Sequence, residues 1–453
     1  MLNYGDTICA PATSMGAGAI SIIRMSGPDA LRITDEVVRF SNGTAAGSKG
    51  YTLKFGRIPD VDEVLVSIFR TPRSYTGEDS VEISCHASTF IVSRILELLI
   101  AAGARSAEPG EFTRRAFVNG KMDLAQAEAV ADLISAGSEA AHRVAVNQLR
   151  GSYSLELKGL RDELVHLATL LELELDFSEE DVEFADRSRL RALLDEVSAH
   201  VVRLCDSFRT GNAIKKGVPV AIVGAVNSGK STLLNALLGE DRAIVSDIPG
   251  TTRDTVEEVM VLDGVQFRFI DTAGIREASD SVEKIGIERS LKSLSQAEVV
   301  LGVLDGCEPL EELQVACRAI VERVSPAQTL ILLRNKADTF DASAPAPAGF
   351  DLMDISAKTG EGLEELKRRI AASYSATAVS ADATLVTNLR HYEALSRAKE
   401  DLSHVRKGLD LGTPSDLLAE DLRAAIRELG SIFGEIAPDE VLNGIFAKFC
   451  IGK

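Results

Sequence analysis

Val220-Ala221-Ile222-Val223 runs directly into Gly224-Ala225-Val226-Asn227-Ser228-Gly229-Lys230-Ser231, and Thr232 to Leu238 follows with helical spacing. An apolar run of strand length, a glycine, four residues, Gly-Lys-Ser and a helix form the turn in which backbone N–H groups wrap phosphates. Glycines allow the close wrap, Lys230 meets the β and γ oxygens, and the Ser231 hydroxyl suits a magnesium ligand. Asn227, Ser228, Gly229, Lys230, Ser231 and Thr232 are therefore candidate nucleotide contacts. From Gly217 to about Ala378, strands alternate with helices, as βαβ units around a parallel sheet require. The stretch 341–349, rich in Ala and Pro, reads as a surface excursion.

Further nucleotide elements follow in chain order. Gly250-Thr251-Thr252-Arg253-Asp254 places Thr252 to complete magnesium coordination. After the strand Gln266 to Ile270 comes Asp271-Thr272-Ala273-Gly274, where Asp271 suits an outer-shell magnesium role and the Gly274 amide suits sensing the γ phosphate. Asn335-Lys336-Ala337-Asp338 follows the strand Thr329 to Leu333, and Ser356-Ala357-Lys358 follows Met353 to Ile355. A carboxylate at Asp338 accepts both the ring N–H and the exocyclic amine of guanine, which adenine does not present together. Singly, these fragments read equally as glycine turns or solvated turns. In this order after a phosphate loop they indicate GTP. Many GTPases orient the attacking water with a Gln just after such a Gly, but Ile275 stands there. Arg276, Glu283 and Arg253 are the nearby groups able to replace it.

At about 150 residues per domain, 453 residues suggest three domains. Hydrophobic residues make up 45% and charged residues 26%, a soluble globular composition. Lys and Arg total 49 against 68 Asp and Glu, for a net charge of -19. Such a chain does not bind nucleic acid by bulk charge, so any RNA contact uses a local patch or a partner. The six cysteines, at 9, 85, 205, 307, 317 and 450, form no CxxC pair and no zinc spacing, which favours a reducing compartment. Met1 to Ile20, with Asp6 and no basic residue before its apolar stretch, does not read as a signal peptide, and Ile91 to Ala104 is too short to span a bilayer. The expectation is a cytoplasmic protein with no membrane contact.

Residues 1–120 read as strands (Ala19–Met25, Tyr51–Ile58, Val64–Phe69, Val81–Cys85) with a helix at Ile91–Ala101, an α+β domain. From Asp123 long helices take over. Asp123 and Gln126 make a capping box, and Leu124, Ala127, Ala131 and Ile134 follow at helical spacing. Leu160, Leu164, Leu167, Leu171 and Leu175 form a buried stripe, resumed by Leu190, Leu194, Val197, Val201, Leu204 and Phe208. The acidic stretch Asp176–Asp186 between them reads as a solvated turn. Helices return from Leu385, with Leu418, Leu422, Ala425, Leu429 and Ile432 on one face. The boundaries expected are 1–120, 121–215, 216–378 and 379–453: an N-terminal domain, then a helical domain split by an inserted α/β domain.

Several stretches carry a more specific match: Ala12-Thr13 before Gly16–Ile20; Thr76-Gly77-Glu78-Asp79; Pro109-Gly110-Glu111-Phe112-Thr113-Arg114-Arg115-Ala116-Phe117; Lys121-Met122-Asp123-Leu124-Ala125-Gln126-Ala127-Glu128; Gly250–Asp254; and Phe449-Cys450-Ile451-Gly452-Lys453. Through them the chain resembles the MnmE, or TrmE, family of bacterial tRNA uridine-modification GTPases over nearly its whole length. The resemblance implies a folate-binding and dimerising N-terminal domain, a discontinuous helical domain, an inserted Ras-like P-loop G domain, and a homodimer. It implies a flavin-dependent partner, MnmG or GidA, and addition of a carboxymethylaminomethyl or aminomethyl group to the wobble uridine of certain tRNAs. GTP hydrolysis would drive a conformational cycle of the dimer.

By matching motif positions, the resemblance puts a reduced folate, of the 5-formyltetrahydrofolate kind, on Arg24, Glu82, Lys121 and Lys453. It adds Ser246, Asp247, Ile248, Pro249, Gly250, Thr251 and Thr252 to the GTP contacts. It puts potassium on Asn227, Ser246, Ile248 and Thr251, beside a magnesium on Ser231 and Thr252. Glu283 would orient the attacking water through a bridging water, with Arg253 a further catalytic candidate. Cys450 reads as a buried small residue, a poor prenylation box, or a thiol near the one-carbon site, which the resemblance favours. One departure is local: the family has glycines flanking His86, and here the run is Cys85-His86-Ala87-Ser88. A rival reading is a GTP-controlled binding module, such as a ribosome-assembly switch, whose N-terminal domain only docks a partner; folate binding and wobble-uridine products discriminate the two.

Overall fold

The computed structural model describes residues 5–14, 16, 18–176, 187–239, 258–270, 294–340, 345–378, 384–435, 438–447 and 449–453. They form two compact units. The first takes residues 1–134, 147–186 and 408–453; the second takes 135–146 and 187–407.

The N-terminal part of the first unit contains β1 (Ile8–Pro11), β2 (Ile20–Ser26), α1 (Ala30–Val37), β3 (Arg39–Phe40) and β4 (Thr52–Ile58). It continues with β5 (Asp62–Phe69), β6 (Ser80–His86), α2 (Thr89–Ala101), β7 (Arg105–Ser106) and α3 (Glu111–Val118). The strands make a seven-stranded sheet in the order β3-β4-β5-β6-β2-β1-β7, antiparallel except for the β1–β7 pair. Alternation sorts the two faces. Ile23, Met25, Val64, Val66, Ile68, Val81, Ile83 and Cys85 point inward and pack with Ile33 of α1 and Val92, Ile95 and Leu99 of α2. The opposite face carries cross-strand rows that include Leu53–Ser67–Glu82–Arg24 and Phe55–Leu65–Ser84–Ile22. All four expected strands and the helix are present. Strands β1, β3 and β7 are each too short to show alternation in the sequence.

Helices α4 (Leu124–Ser135), α5 (Glu139–Leu149), α6 (Ser152–Asp176) and α7 (Arg187–Lys216) come next. The capping box forms reciprocally: Gln126 N–H donates to Asp123 Oδ1 at 3.0 Å and Asp123 N–H to Gln126 Oε1 at 2.9 Å. Of the stripe behind it, Leu124 and Ala127 are buried while Ile134 is exposed, so the apolar face ends before the helix does. Leu160, Leu164, Leu167 and Leu171 are buried, as are Leu190, Leu194, Val197, Val201 and Leu204. The acidic residues 177–186 lie outside the described residues.

The second unit's sheet uses β8 (Val218–Gly224), α8 (Lys230–Leu238), β9 (Glu258–Leu262), β10 (Val265–Phe269), β11 (Val299–Asp305) and α9 (Leu310–Val321). β12 (Thr329–Asn335), β13 (Leu352–Asp354) and α10 (Leu363–Ala378) complete it. The strand order is β13-β12-β11-β8-β10-β9, parallel apart from the β9–β10 hairpin. That hairpin turns on Asp263 (φ 46°) and Gly264 (φ 75°), the left-handed pair a two-residue turn needs. Ala140 and Ala141 of α5 join the core around Val265, and Ala140 N–H donates to Gly264 O at 3.0 Å. Helix α11 (Leu389–Leu411) runs antiparallel to α7, with Tyr392 stacked on Phe208 at 4.5 Å and Arg406 paired with Asp195.

Back in the first unit, α12 (Ser415–Phe433) lies along α6, burying the expected Leu418, Leu422, Ala425, Leu429 and Ile432. α13 (Asp439–Phe446) then docks Phe446 and Phe449 beside Leu124 and Ala127. Among the described residues no helix is long and apolar enough to cross a membrane.

Candidate functional site

The phosphate loop leaves β8 at Gly224 (φ 155°), where a Cβ would stand 2.1 Å from the Val303 carbonyl, and enters α8 through Gly229 (φ 99°). Asn227 (φ 65°) holds a left-handed turn between them, its side chain exposed. Lys230 Nζ donates back to Gly224 O at 2.9 Å and Ala225 O at 2.6 Å. Burial lowers its ammonium pKa, a penalty an anionic oxygen would offset. Ser231 and Thr232 occupy the first turn of α8, whose N-terminal end favours negative charge.

Asn335 is buried at the carboxyl end of β12 and ties two loops together. Its Nδ2 donates to Ser228 O at 2.8 Å, and its Oδ1 accepts Ala357 N–H at 3.0 Å. Asn335 thus braces the phosphate loop against the Ser356-Ala357-Lys358 loop, a contact that its place in the sequence motif does not reveal. Asp338 is exposed, and its Oδ1 accepts the Ser356 hydroxyl at 2.7 Å. That bond, with the charges of Lys358 and Lys336, holds the carboxyl below its ordinary pKa, an acceptor at neutral pH. Lys336 sits at φ 72° with its Nζ 2.5 Å from Asp305 Oδ2. Asp305 belongs to none of the sequence motifs; its one signal there is an acid closing the apolar run Val299–Leu304. Ser246–Arg253, Asp271–Arg276 and Glu283 lie outside the described residues.

On the open face of the N-terminal sheet, Arg24 and Glu82 are direct cross-strand partners. Arg24 Nε and Nη2 both reach Glu82 Oε1, at 2.9 and 2.8 Å. The guanidinium lies 5.4 Å from the Tyr75 ring centroid and 5.7 Å from that of Phe112. Its Nη1 donates to Gly452 O at 3.4 Å, which brings the Phe449–Lys453 segment to the same place. Lys121 is exposed and donates to Pro72 O at 3.0 Å, on the loop that carries Tyr75. Tyr75, Phe112 and Gly452 are neighbours that only the tertiary structure reveals.

Cys450 is exposed. Cys85 points to the other face, where burial pushes its thiol up to about 11. His86 shares the Glu82 face but lies four residues along β6, about 13 Å away. Both its Nδ1 and its N–H meet Asp62, at 2.8 Å each.

Beneath the site, Arg115, 1% exposed, meets Asp6, Glu78 and Glu111 at 2.6, 3.2 and 3.1 Å, and Arg105 meets Asp6 and Glu111. Burial alone would raise the Asp6 and Glu111 carboxyls; hydrogen bonds from Arg105 and Arg115 outweigh it and both end up lowered. Among the described residues no group of three or more His, Cys, Asp or Glu is arranged to hold a metal ion.

Comparison with known proteins adds relatives over the full length. The family profile described as the MnmE helical domain matches residues 124–450, and that described as GTP-binding protein TrmE N-terminus matches 7–121. A tRNA modification GTPase MnmE of Bacteroides fragilis is 50% identical over 99% of both chains. One from Christiangramia forsetii is 48% identical over 100% of both. Among solved structures, the G domain of the T. maritima FeoB iron transporter aligns at 27% identity, covering 35% of this chain and 98% of that one, with a TM-score of 0.25. Full-length identity near one half, together with both family profiles, shows that the chain belongs to the MnmE family of tRNA modification GTPases.

Proposed function

We propose that this chain hydrolyses GTP to GDP and phosphate, and that hydrolysis drives modification of the wobble uridine of certain tRNAs in concert with a flavin-dependent partner and a folate-borne one-carbon unit. The observation that carries the nucleotide part is the Asn335 brace, which holds the phosphate loop and the guanine loops in one arrangement. Lys230 meets the β and γ oxygens, and Asp338, with Ser356 fixing its carboxylate, selects guanine. Magnesium fits a hydroxyl at Ser231 with Thr252, and potassium fits the exposed amide of Asn227 with Ser246, Ile248 and Thr251. Bound there, the two cations supply charge neutralisation at the phosphates. Glu283 orients the attacking water, which Ile275 cannot, and Arg253 assists.

The folate part is supported by the Arg24–Glu82 pair. Both Arg24 nitrogens use one Glu82 oxygen, so Glu82 Oε2 and the remaining Arg24 N–H groups form an adjacent acceptor and donor, a match for a pterin edge. Lys121 and Lys453 suit the glutamate tail, and the exposed Cys450 thiol belongs to a segment touching Arg24. A homodimer is supported by the open face, where Ile20, Leu53, Phe55 and Leu65 are 67, 62, 51 and 45% exposed.

Hydrolysis with magnesium should be faster in potassium than in sodium, and Glu283→Ala should slow turnover with GTP affinity nearly intact. Equal rates in both salts remove the potassium role. Titration calorimetry with 5-formyltetrahydrofolate should give heat that Arg24→Ala weakens. Nucleoside analysis of tRNA from cells lacking this chain should show the wobble modification lost; an unchanged nucleoside profile would favour the binding-module reading instead.

A further inference from the structure

Asp305 closes β11 directly beside Asn335 in the parallel register, at the strand ends where open α/β sheets bind ligands. Its carboxylate is fixed from two sides. Oδ1 accepts the Cys307 N–H at 3.1 Å, a local turn, and Oδ2 takes the Lys336 ammonium at 2.5 Å. The Gly306 N–H donates to Asn335 O at 2.9 Å, so the Asp305 turn and the guanine loop are also joined by backbone. Gly306 has to be glycine, because a Cβ there would stand 2.2 Å from the Phe340 ring and 2.6 Å from Asn335 O.

Lys336 is held at the other end. Its φ of 72° is a left-handed conformation that a lysine keeps only when its surroundings impose it. Thr339 supplies part of that, its N–H and hydroxyl both donating to Lys336 O at 2.8 Å. With the backbone pinned and the ammonium clamped, the four-carbon stem between them has little freedom left. An untethered lysine would sample many rotamers and lose that entropy on binding.

We propose that Asp305 is a positioning residue for the nucleotide: by anchoring the Lys336 ammonium it pre-sets the Lys336 stem as one apolar wall for the guanine ring. The proposal rests on the guanine reading of Asn335–Asp338. The side chains of Lys336 and Asp305 are 35 and 17% exposed, a part-buried pair at the mouth of the strand ends, so removing it should show more in nucleotide affinity than in folding.

The test is a double-mutant cycle on the full-length chain, read as Kd and dissociation rate of a fluorescent GDP analogue. Asp305→Ala should raise Kd roughly tenfold, mostly through faster dissociation, with a melting temperature close to the parent's. Lys336→Ala should cost at least as much. Because Asp305 acts through Lys336, adding Asp305→Ala to Lys336→Ala should change Kd less than about twofold. A Kd for Asp305→Ala within twofold of the parent, or effects that multiply in the double variant, would overturn the proposal. Should Asp305→Ala lower the melting temperature, Asp305→Asn decides: it keeps the size and one acceptor oxygen for the Cys307 N–H but replaces the oxygen facing Lys336 with an NH2 donor and removes the charge, so weaker binding supports the proposal and parental binding rejects it. Asp338→Asn separates the two readings. If it leaves GDP preference intact, the guanine reading fails. If it behaves as expected while Asp305→Ala is silent, only the Asp305 role fails.

Discussion

Gly229 shows how much of the nucleotide site hangs on one missing methyl. A Cβ there would stand 2.1 Å from Asn335 Nδ2, at a φ of 99° that an L side chain resists. Gly229→Ala should therefore break the Asn335–Ser228 bond as well as strain the loop. A lost bond that strands a buried amide costs about 1–3 kcal/mol, so GDP affinity should fall roughly tenfold or more in equilibrium titration. At Asp338 the expected change is in kind. Asp338→Asn should weaken GTP binding and favour xanthine nucleotides, whose ring carbonyl replaces the amine that Asp338 would meet; an unchanged GTP preference in competition assays would contradict the guanine assignment. The residue types at these positions were legible in the sequence, because phosphate wrapping and guanine recognition each demand a particular group at a particular spacing. The bridges were not, since Asn335 reaches back across 107 residues to Ser228 and no local pattern encodes that contact.

The Asp123–Gln126 capping box satisfies two N–H groups at the start of α4, and Asp123 also meets Lys158 Nζ at 3.4 Å. Asp123→Ala should cost about 1 kcal/mol in urea unfolding, the usual value of a lost N-cap. The Arg115 cluster joins α3 to Asp6 just ahead of β1 and to Glu78 in the Thr76–Asp79 loop, and it makes the first unit acid-sensitive. The Asp6 and Glu111 carboxyls lie below their ordinary values of 3.8 and 4.5. Groups with depressed folded pKa values contribute stability above their unfolded pKa and lose it as the pH falls through the folded one. Unfolding midpoints should thus decline from about pH 4.5 downward, and Arg115→Met, which leaves Asp6 and Glu111 to Arg105 alone and Glu78 to the Ser26 hydroxyl, should cost about 3 kcal/mol at neutral pH, the low end for a broken buried pair, while flattening part of that decline. Helices with a full apolar stripe, such as α6 and α12, were plain in the sequence. Strands β1, β3 and β7 were not, because they owe their existence to neighbours: Ile8 and Cys9 pair with Arg105 and Ser106 from far along the chain.

At the scale of the whole chain, charge and packing each set an expectation. A net charge of -19 predicts weak tRNA binding by this chain alone at physiological salt; tight binding in filter or anisotropy assays would contradict that. The proposed folate site, by contrast, is assembled from opposite ends of the sequence. Phe449 packs on Phe446 at 5.4 Å, and Gly110 admits them, since a Cβ there would stand 2.7 Å from Phe446 O. Gly452, at φ 96°, lies so close to β1 that a Cβ would sit 2.0 Å from Pro11 O, and its own carbonyl reaches Arg24. The segment Phe449–Lys453 therefore forms one side of the Arg24 site, a role that a sequence motif could flag but only packing could explain. Every described candidate nucleotide contact lies in the other compact unit. Deleting residues 449–453 should accordingly abolish 5-formyltetrahydrofolate heat in calorimetry, lower the melting temperature of the first unit through loss of the Phe449 packing, and leave GDP affinity unchanged. Arg24→Lys supplies the control on the same surface: it keeps the charge but loses the planar contacts to Tyr75, Phe112 and Glu82, and should weaken folate without disturbing the packed segment. Folate binding that survives the deletion would show that Arg24 and Glu82 suffice on their own, and that the Gly452 contact merely seats the segment on the sheet.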